Sequence, residues 1–207
     1  MGSTRGERLS STLTDEFLMT AVRDGDVGKL GILFDRYHGT LFDFFCRMLG
    51  NRAVAEDLVQ DVFFRILKYR KTYRDDSHFT TWMFHIARNT RYDHFKKHRG
   101  EVGFPEEGID IPSHGPFPSQ QFERDQQTEL LKRALLQLPE EKRELLVLAR
   151  YQEMKYEDIA QVLGIDVGAV KVRVHRAVKE LREIYLKIAG EKASCNVMKQ
   201  KATLRIM

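Results

Sequence analysis

Apolar residues recur at intervals of three and four along most of this chain, and no run alternates long enough to read as a strand, so the pattern predicts an all-α protein. Thr14 is placed to cap a helix bearing Phe17, Leu18, Ala21 and Val22, which stops at Gly25. Asp26 is expected to cap a second helix. Its stripe runs from Val27, Leu30, Leu33, Phe34 and Tyr37 across Gly39 to Leu41, Phe42, Phe44, Phe45, Met48 and Leu49, and Gly50 ends it. Residues Ala53 to Tyr69 give the cleanest pattern, with Ala55, Leu58, Val59, Val62, Phe63, Ile66 and Leu67 on one side. After a polar loop from Arg74 to His78, Phe79 to His98 reads as another helix with Phe79, Trp82, Met83, Ile86, Ala87 and Thr90 facing inward.

The periodicity vanishes between Glu101 and Gln127, where four of the chain's five prolines fall. Six carboxylates (Glu101, Glu106, Glu107, Asp110, Glu123 and Asp125) oppose only Arg124 there, a net of minus five. The composition is that of a flexible linker. Helical order is expected again from Thr128, through Leu130, Leu131, Ala134, Leu135 and Leu138, and from Pro139, through Leu145, Leu146, Leu148 and Ala149. Two short patterns then meet at a tight turn. Tyr156, Ile159, Ala160 and Leu163 form one apolar face, Gly164 stops that helix, and Asp166 is the expected cap of a second with Val167, Val170, Val174, Ala177, Val178 and Leu181 buried. This is the signature of a helix-turn-helix. The organisation is thus two small helical domains, residues 14–99 and 128–187, joined by a linker at 100–127. Residues 1–12 read as an unstructured lead, and residues 188–207 as an irregular tail without an assigned role.

The polar faces carry the functional information. Between Gly164 and Lys187 six cations (Lys171, Arg173, Arg176, Lys179, Arg182 and Lys187) oppose Asp166, Glu180 and Glu183. In a helix-turn-helix the N-terminal half of the second helix enters the major groove. Lys171, Val172, His175 and Arg176 are therefore the candidates for base edges, with Arg173 and Lys179 better placed for phosphates. The helix ending at His98 is also basic: Arg88, Arg91, Lys96, Lys97 and Arg99 oppose Asp93 and are interleaved with Asn89, Tyr92, His94 and Phe95. That mixture suits a surface that follows a nucleic-acid strand and stacks on exposed bases. A basic helix end complementing its own dipole is the plainer explanation. On the helix from Ala53 to Tyr69, the outer face carries Glu56, Asp57, Gln60, Asp61 and Phe64, and an exposed Phe beside an acidic patch points to a protein interface.

Composition narrows the choice without making it. A net charge of +4 over 207 residues and a pI near 9.0 permit a polyanionic partner. Cys46 and Cys195 provide no disulfide framework and suit a reducing cytoplasm. No run of about 18 apolar residues and no signal-peptide core is present, so a soluble, cytoplasmic protein without membrane insertion is expected. There is no phosphate-cradling glycine loop, nucleophile elbow or Cys-x-x-Cys, so neither a catalytic residue nor a cofactor is expected. His94 and His98 lie four apart, but with no third ligand they read as surface histidines and no metal is expected.

Three stretches together resemble the extracytoplasmic-function sigma factors of bacterial RNA polymerase: AEDLVQDVFFRI at 55–66, FTTWMFHIARNTRYDHFKK at 79–97, and LPEEKRELLVLARYQEMKYEDIAQVLGIDVGAVKVRVHRAVKELR at 138–182. The resemblance covers residues 14–187. It implies that 14–99 form the domain that docks on core polymerase and recognises and melts the minus-10 element, and that 128–187 form the domain reading the minus-35 duplex and meeting the β flap. The linker would then thread toward the RNA exit path. The helix at 53–69 would dock on the β′ coiled coil through Asp57, Gln60, Asp61 and Phe64. Asn89 and Asp93 become candidates for a pocket holding an unstacked base, Tyr92 for the same surface, and Arg88, Arg91, Lys96 and Lys97 for the DNA backbone. An anti-sigma protein is an expected partner. One departure stands out: the family often has Thr-Val-Lys-Ser-Arg where this chain has Ala169-Val170-Lys171-Val172-Arg173, exchanging two hydroxyls for apolar groups and implying a different minus-35 preference.

Two other classes of protein compete. A self-sufficient dimeric helix-turn-helix regulator accounts for residues 155–182 equally well and predicts binding to a palindromic operator without polymerase, but it leaves the basic helix and the acidic patch unexplained. An RNA-binding protein would use the same basic helix, but no RNA-binding module pattern is visible.

Overall fold

The computed structural model describes residues 13–97 and 118–204, with side chains placed for 13–97 and 126–191, and all regular elements among them are helical. Residues 1–12, His98, Arg99, the linker as far as 117 and the Cys195 side chain lie outside this description.

Helix α1 (Asp15–Asp24) begins where expected: the Thr14 hydroxyl accepts the Phe17 amide at 3.2 Å, and Asp15 and Glu16 face the positive end of the helix dipole. Gly25 ends it at φ +123°, a conformation a side chain disfavours. Asp26 behaves differently from the expectation. It precedes a short 3-10 turn, Val27–Lys29, and its carboxylate makes no capping bond, so α2 (Leu30–Leu49) starts at Leu30. Left-handed Gly50 closes α2, and the Asn51 side chain accepts the Val54 amide at 3.1 Å to start α3 (Arg52–Tyr69), making an antiparallel hairpin.

The loop after α3 is pinned from two sides. Asp75 takes bonds from Arg23 at 2.7 Å and Thr20 at 3.1 Å, and the Tyr73 hydroxyl donates to the Ser77 carbonyl at 2.7 Å. A Glu16 carboxylate oxygen accepts the Phe79 amide at 3.3 Å, tying the start of α4 (Phe79–Lys97) to α1. Beneath this frame Phe44 packs edge-on against Phe45 and Phe84, with centroids 5.2 and 5.3 Å apart, among buried Leu18, Leu41, Val62, Ile66 and Met83. The four helices thereby hold the outer faces of α3 and α4 in fixed relation.

The second half departs from the sequence reading at both ends. Helix α5 (Pro118–Gln137) begins at Pro118, ten residues before Thr128, because proline is well suited to a first helical turn, where its missing N–H costs nothing. After α6 (Glu140–Leu146), a π-helical turn (Val147–Tyr151) and α7 (Tyr156–Leu163), helix α8 runs from Val167 to Leu204, so the expected irregular tail is helical. Packing accounts for its continuation as far as Ala189: Ile188 lies buried against Leu130 and Ala134 of α5, with Leu181, Ile184, Tyr185 and Ala189 beside them. The stripe of α8 therefore continues past the helix-turn-helix. Val178, expected inside, is 41 % exposed, since it lies about 100° around the helix from buried Ala177, on the outer side.

The two halves also meet. The buried residues of both form one continuous cluster, with α7 against α4 and α6 against the end of α2.

Candidate nucleic-acid and polymerase interfaces

The helix-turn-helix is set by three local devices. Gly164 takes the left-handed conformation at φ +66°, the Ile165 amide bonds back to the Ala160 carbonyl at 3.0 Å, and the Asp166 carboxylate caps the Ala169 amide at 2.8 Å. With Val170, Val174 and Ala177 buried, Lys171, Val172, Arg173, His175, Arg176 and Lys179 are all exposed on one side of α8. This is the group that the sequence pattern assigns to duplex reading. Arg173 and Arg176 also line a cleft of about 330 Å³ shared with Arg88, Glu141, Lys142 and Glu144.

On α4 the predicted residues separate into two sets. Asn89, Tyr92, Asp93, Lys96 and Lys97 are exposed, and Tyr92 is 64 % accessible, as a stacking residue requires. Arg91 is not. It was expected among the cations available to a DNA backbone, but it is only 2 % exposed: its Nη2 donates to Glu144 at 3.2 Å, and its Nη1 bonds Glu140. Arg88 is half-buried, with its Nε donating to the other Glu144 oxygen at 3.3 Å. The reason is electrostatic. A guanidinium leaving water needs a charged, hydrogen-bonding partner, and α6 provides two carboxylates one helical turn apart.

On α3, Asp57, Gln60 and Phe64 stand outward, Phe64 at 64 % exposure, while Asp61 is partly covered by Arg65, whose Nε lies 3.3 Å from it. Arg65 also donates to Asp93 of α4 at 2.6 Å. It therefore ties the acidic face of α3 to the polar face of α4, a link the separate helical patterns did not reveal. Glu144 was likewise missed. The available signal was its position: one residue before Leu145 and four before Leu148, it falls on the buried stripe of its own helix. Among the described residues no group of three His, Cys, Asp or Glu side chains is arranged to hold a metal, and no described helix is long and apolar enough to cross a membrane.

Residues 33–101 match the family model for sigma-70 region 2, and residues 128–181 match that for sigma-70 region 4. The chain is 32 % identical over 168 residues to the RNA polymerase sigma factor CarQ of Myxococcus xanthus, covering 80 % of this chain and 94 % of that one. It is also 32 % identical over 150 residues to the extracytoplasmic-function sigma factor SigE of Mycolicibacterium smegmatis, a match spanning 71 % of this chain but only 58 % of that protein. Among solved structures, the sigma factor RpoE in complex with the anti-sigma factor NepR from Bartonella quintana superposes with a TM-score of 0.62 at 27 % identity, over 75 % of this chain and 95 % of that one. A two-region sigma-70 architecture is thus the class that the fold and the comparisons define. The chain belongs to the extracytoplasmic-function group of the sigma-70 family of RNA polymerase sigma factors, and it acts in transcription initiation. Sigma factors generally recognise DNA and are not themselves enzymes.

Proposed function

We propose that residues 14–99 dock core polymerase and handle the minus-10 element, that residues 128–187 read the minus-35 duplex, and that 100–127 connect them. The exposed face of α8 supports the duplex-reading role: Lys171, Val172, His175 and Arg176 reach base edges and Arg173 and Lys179 reach phosphates. Asn89, Tyr92 and Asp93 form the pocket side of the minus-10 surface, with exposed Lys96 and Lys97 along the strand, and Arg88 and Arg91 join them only when released from Glu144. Extruding a base costs a few kcal/mol, which stacking and polar contacts offset. Asp57, Gln60, Asp61 and Phe64 meet the β′ coiled coil, and the second domain also meets the β flap. An anti-sigma protein holds the factor inactive, as the relative RpoE is found bound to NepR. The protein works in the cytoplasm and needs no cofactor.

The observation that carries this reading is the presence, in one chain, of an exposed duplex-reading face and of a second polar, aromatic and basic face tied through Arg65 to an acidic patch. The test is transcription in vitro with purified core polymerase and a genomic promoter library. Promoter-specific transcripts that require both the protein and core polymerase are expected. Specific binding to a palindromic site together with no core-dependent transcription would overturn the reading in favour of a dimeric regulator.

A further inference from the structure

We propose that Glu144 acts as an internal substitute for a DNA phosphate, holding Arg88 and Arg91 so that the free protein withholds these two cations from its otherwise exposed minus-10 surface. The proposal rests on the reading of α4 as a minus-10 surface and adds a mechanism that gates it.

The argument begins with the chemistry of Arg91. Its guanidinium is almost wholly buried, and Glu144, at 4 % exposure, is almost wholly buried with it. One Glu144 oxygen lies 3.2 Å from Arg91 and the other 3.3 Å from Arg88, while Glu140 takes the second Arg91 nitrogen. Two guanidinium groups thus converge on one carboxylate, which is how arginines hold a phosphodiester oxygen pair. Both arginines come from α4 and both glutamates from α6, so the pairing exists only while the second domain sits on the first. A buried pair of this kind contributes little net stability, but removing one partner leaves a charge uncompensated, so it specifies which surfaces meet.

The remaining contacts hold the same closure. The Thr81 hydroxyl donates to Asp158 at 3.0 Å, and His85 Nε2 lies 3.1 Å from the Gln161 carbonyl oxygen, both joining α4 to α7. At the end of α2, the Arg47 guanidinium sits 4.3 Å over the Tyr151 ring. Arg173 and Arg176 of α8 line the same interdomain cleft as Arg88 and Glu144. Closure therefore buries Arg91 and half-covers Arg88, with Arg173 and Arg176 lining the same cleft. Opening exposes both arginines, and a phosphate replaces Glu144.

If only an open minority binds, the apparent dissociation constant equals the intrinsic one divided by the open fraction. The test is fluorescence anisotropy of the full-length protein with a labelled oligothymidylate strand, for the parent, Glu144→Gln and Glu140→Gln, each checked for folding by circular dichroism. Glu144→Gln should bind at least about tenfold more tightly with a steeper salt dependence, because each released arginine adds a phosphate contact. Glu140→Gln, altering a half-exposed carboxylate, should tighten binding less. Unchanged affinity in both folded variants would overturn the proposal. Should Glu144→Gln not fold, the decisive protein is Thr81→Cys/Asp158→Cys in a Cys195→Ser background, joined by a short reducible bifunctional reagent. The joined form should lose oligonucleotide binding and regain it on reduction, and equal binding before and after reduction would overturn the proposal. Core-dependent transcription by the parent protein is measured in parallel. Its loss would count against the sigma-factor reading, whereas intact transcription with unchanged oligonucleotide affinities would remove the gating mechanism alone.

Discussion

Arg143 reaches from α6 to the far end of α2, where its Nη1 donates to the Met48 carbonyl at 2.5 Å. Its Nη2 meanwhile bonds the Leu136 and Leu138 carbonyls at 2.7 and 3.0 Å, satisfying acceptors at the C-terminal end of α5. Burial pushes the guanidinium pKa down from its ordinary value, yet arginine remains charged at any ordinary pH. Arg143→Ala removes three charge-assisted bonds and leaves three carbonyls without this donor. The expected loss is roughly 2 to 4 kcal/mol, lowering the thermal midpoint by about 4 to 16 °C in a chain of this size. Scanning calorimetry measures it, and a midpoint within about a degree of the parent's would show that water replaces the arginine at little cost.

The acidic face of α3 gives a second expectation. Asp57 and Asp61 lie off the apolar stripe of α3, and Asp61 shares Arg65 with Asp93. Asp57→Lys/Asp61→Lys should abolish co-purification with core polymerase while circular dichroism still reports a helical fold. Undiminished association by the folded variant would place the polymerase contact on another face.

Most helices were legible because each buries one stripe, and the stripe survives in one dimension. Thr14, Gly50, Gly164 and Asp166 were legible for a related reason: caps act within three residues. What the sequence concealed arises between helices. Arg91 carries the same charge as Lys96 and Lys97, and only the approach of Glu140 and Glu144 from α6 distinguishes it. Arg65 gains its role only because α4 brings Asp93 beside it. The continuation of α8 was hidden because Ile184 and Ile188 gain their partners, Leu130 and Ala134, from a helix more than fifty residues earlier.

The proposed assignment on α8 separates base reading from phosphate binding. Arg176→Ala should weaken promoter use by roughly 1 to 3 kcal/mol and relax selectivity at one minus-35 position, whereas Lys179→Ala should weaken all sequences about equally. Selection from a randomised minus-35 library by the reconstituted holoenzyme reads both effects. An unchanged sequence preference with Arg176→Ala would move the reading face elsewhere on α8.

Cys46 gives an alkaline signature. Burial pushes its thiol up from 9.0 to about 11, so the neutral thiol is favoured in the folded state. Because the folded pKa lies above the unfolded one, this contribution to stability is complete below about pH 9 and is lost as pH rises through about 11. In a Cys195→Ser variant, labelling by a thiol-specific disulfide reagent at pH 8 should be slow in the folded protein and rapid in denaturant. Rapid labelling of the native protein would show that the thiol is reached without unfolding.

The sharpest expectation concerns what the protein does alone. Its proposed duplex-reading surface is confined to the N-terminal turns of one helix, α8, and a single module of that kind buries roughly 600 to 1,000 Å², so its independent specific affinity should be weak. The α4 face suits unpaired bases, which a closed duplex does not present, and Arg88 and Arg91 are occupied by Glu144 in the free protein. In footprinting at physiological salt, the isolated protein should therefore protect no promoter. Adding core polymerase should produce protection over both elements and permanganate-reactive thymines in the minus-10 region. Strong palindromic protection by the protein alone, without strand opening, would refute the sigma-factor reading. Asn89 is exposed on α4 and remote from the duplex-reading residues in sequence. Asn89→Ala should accordingly reduce permanganate reactivity more than minus-35 protection, because an unstacked base is captured only after the duplex has been found. Equal loss of both signals would mean that Asn89 supports the domain as a whole and not the melted strand.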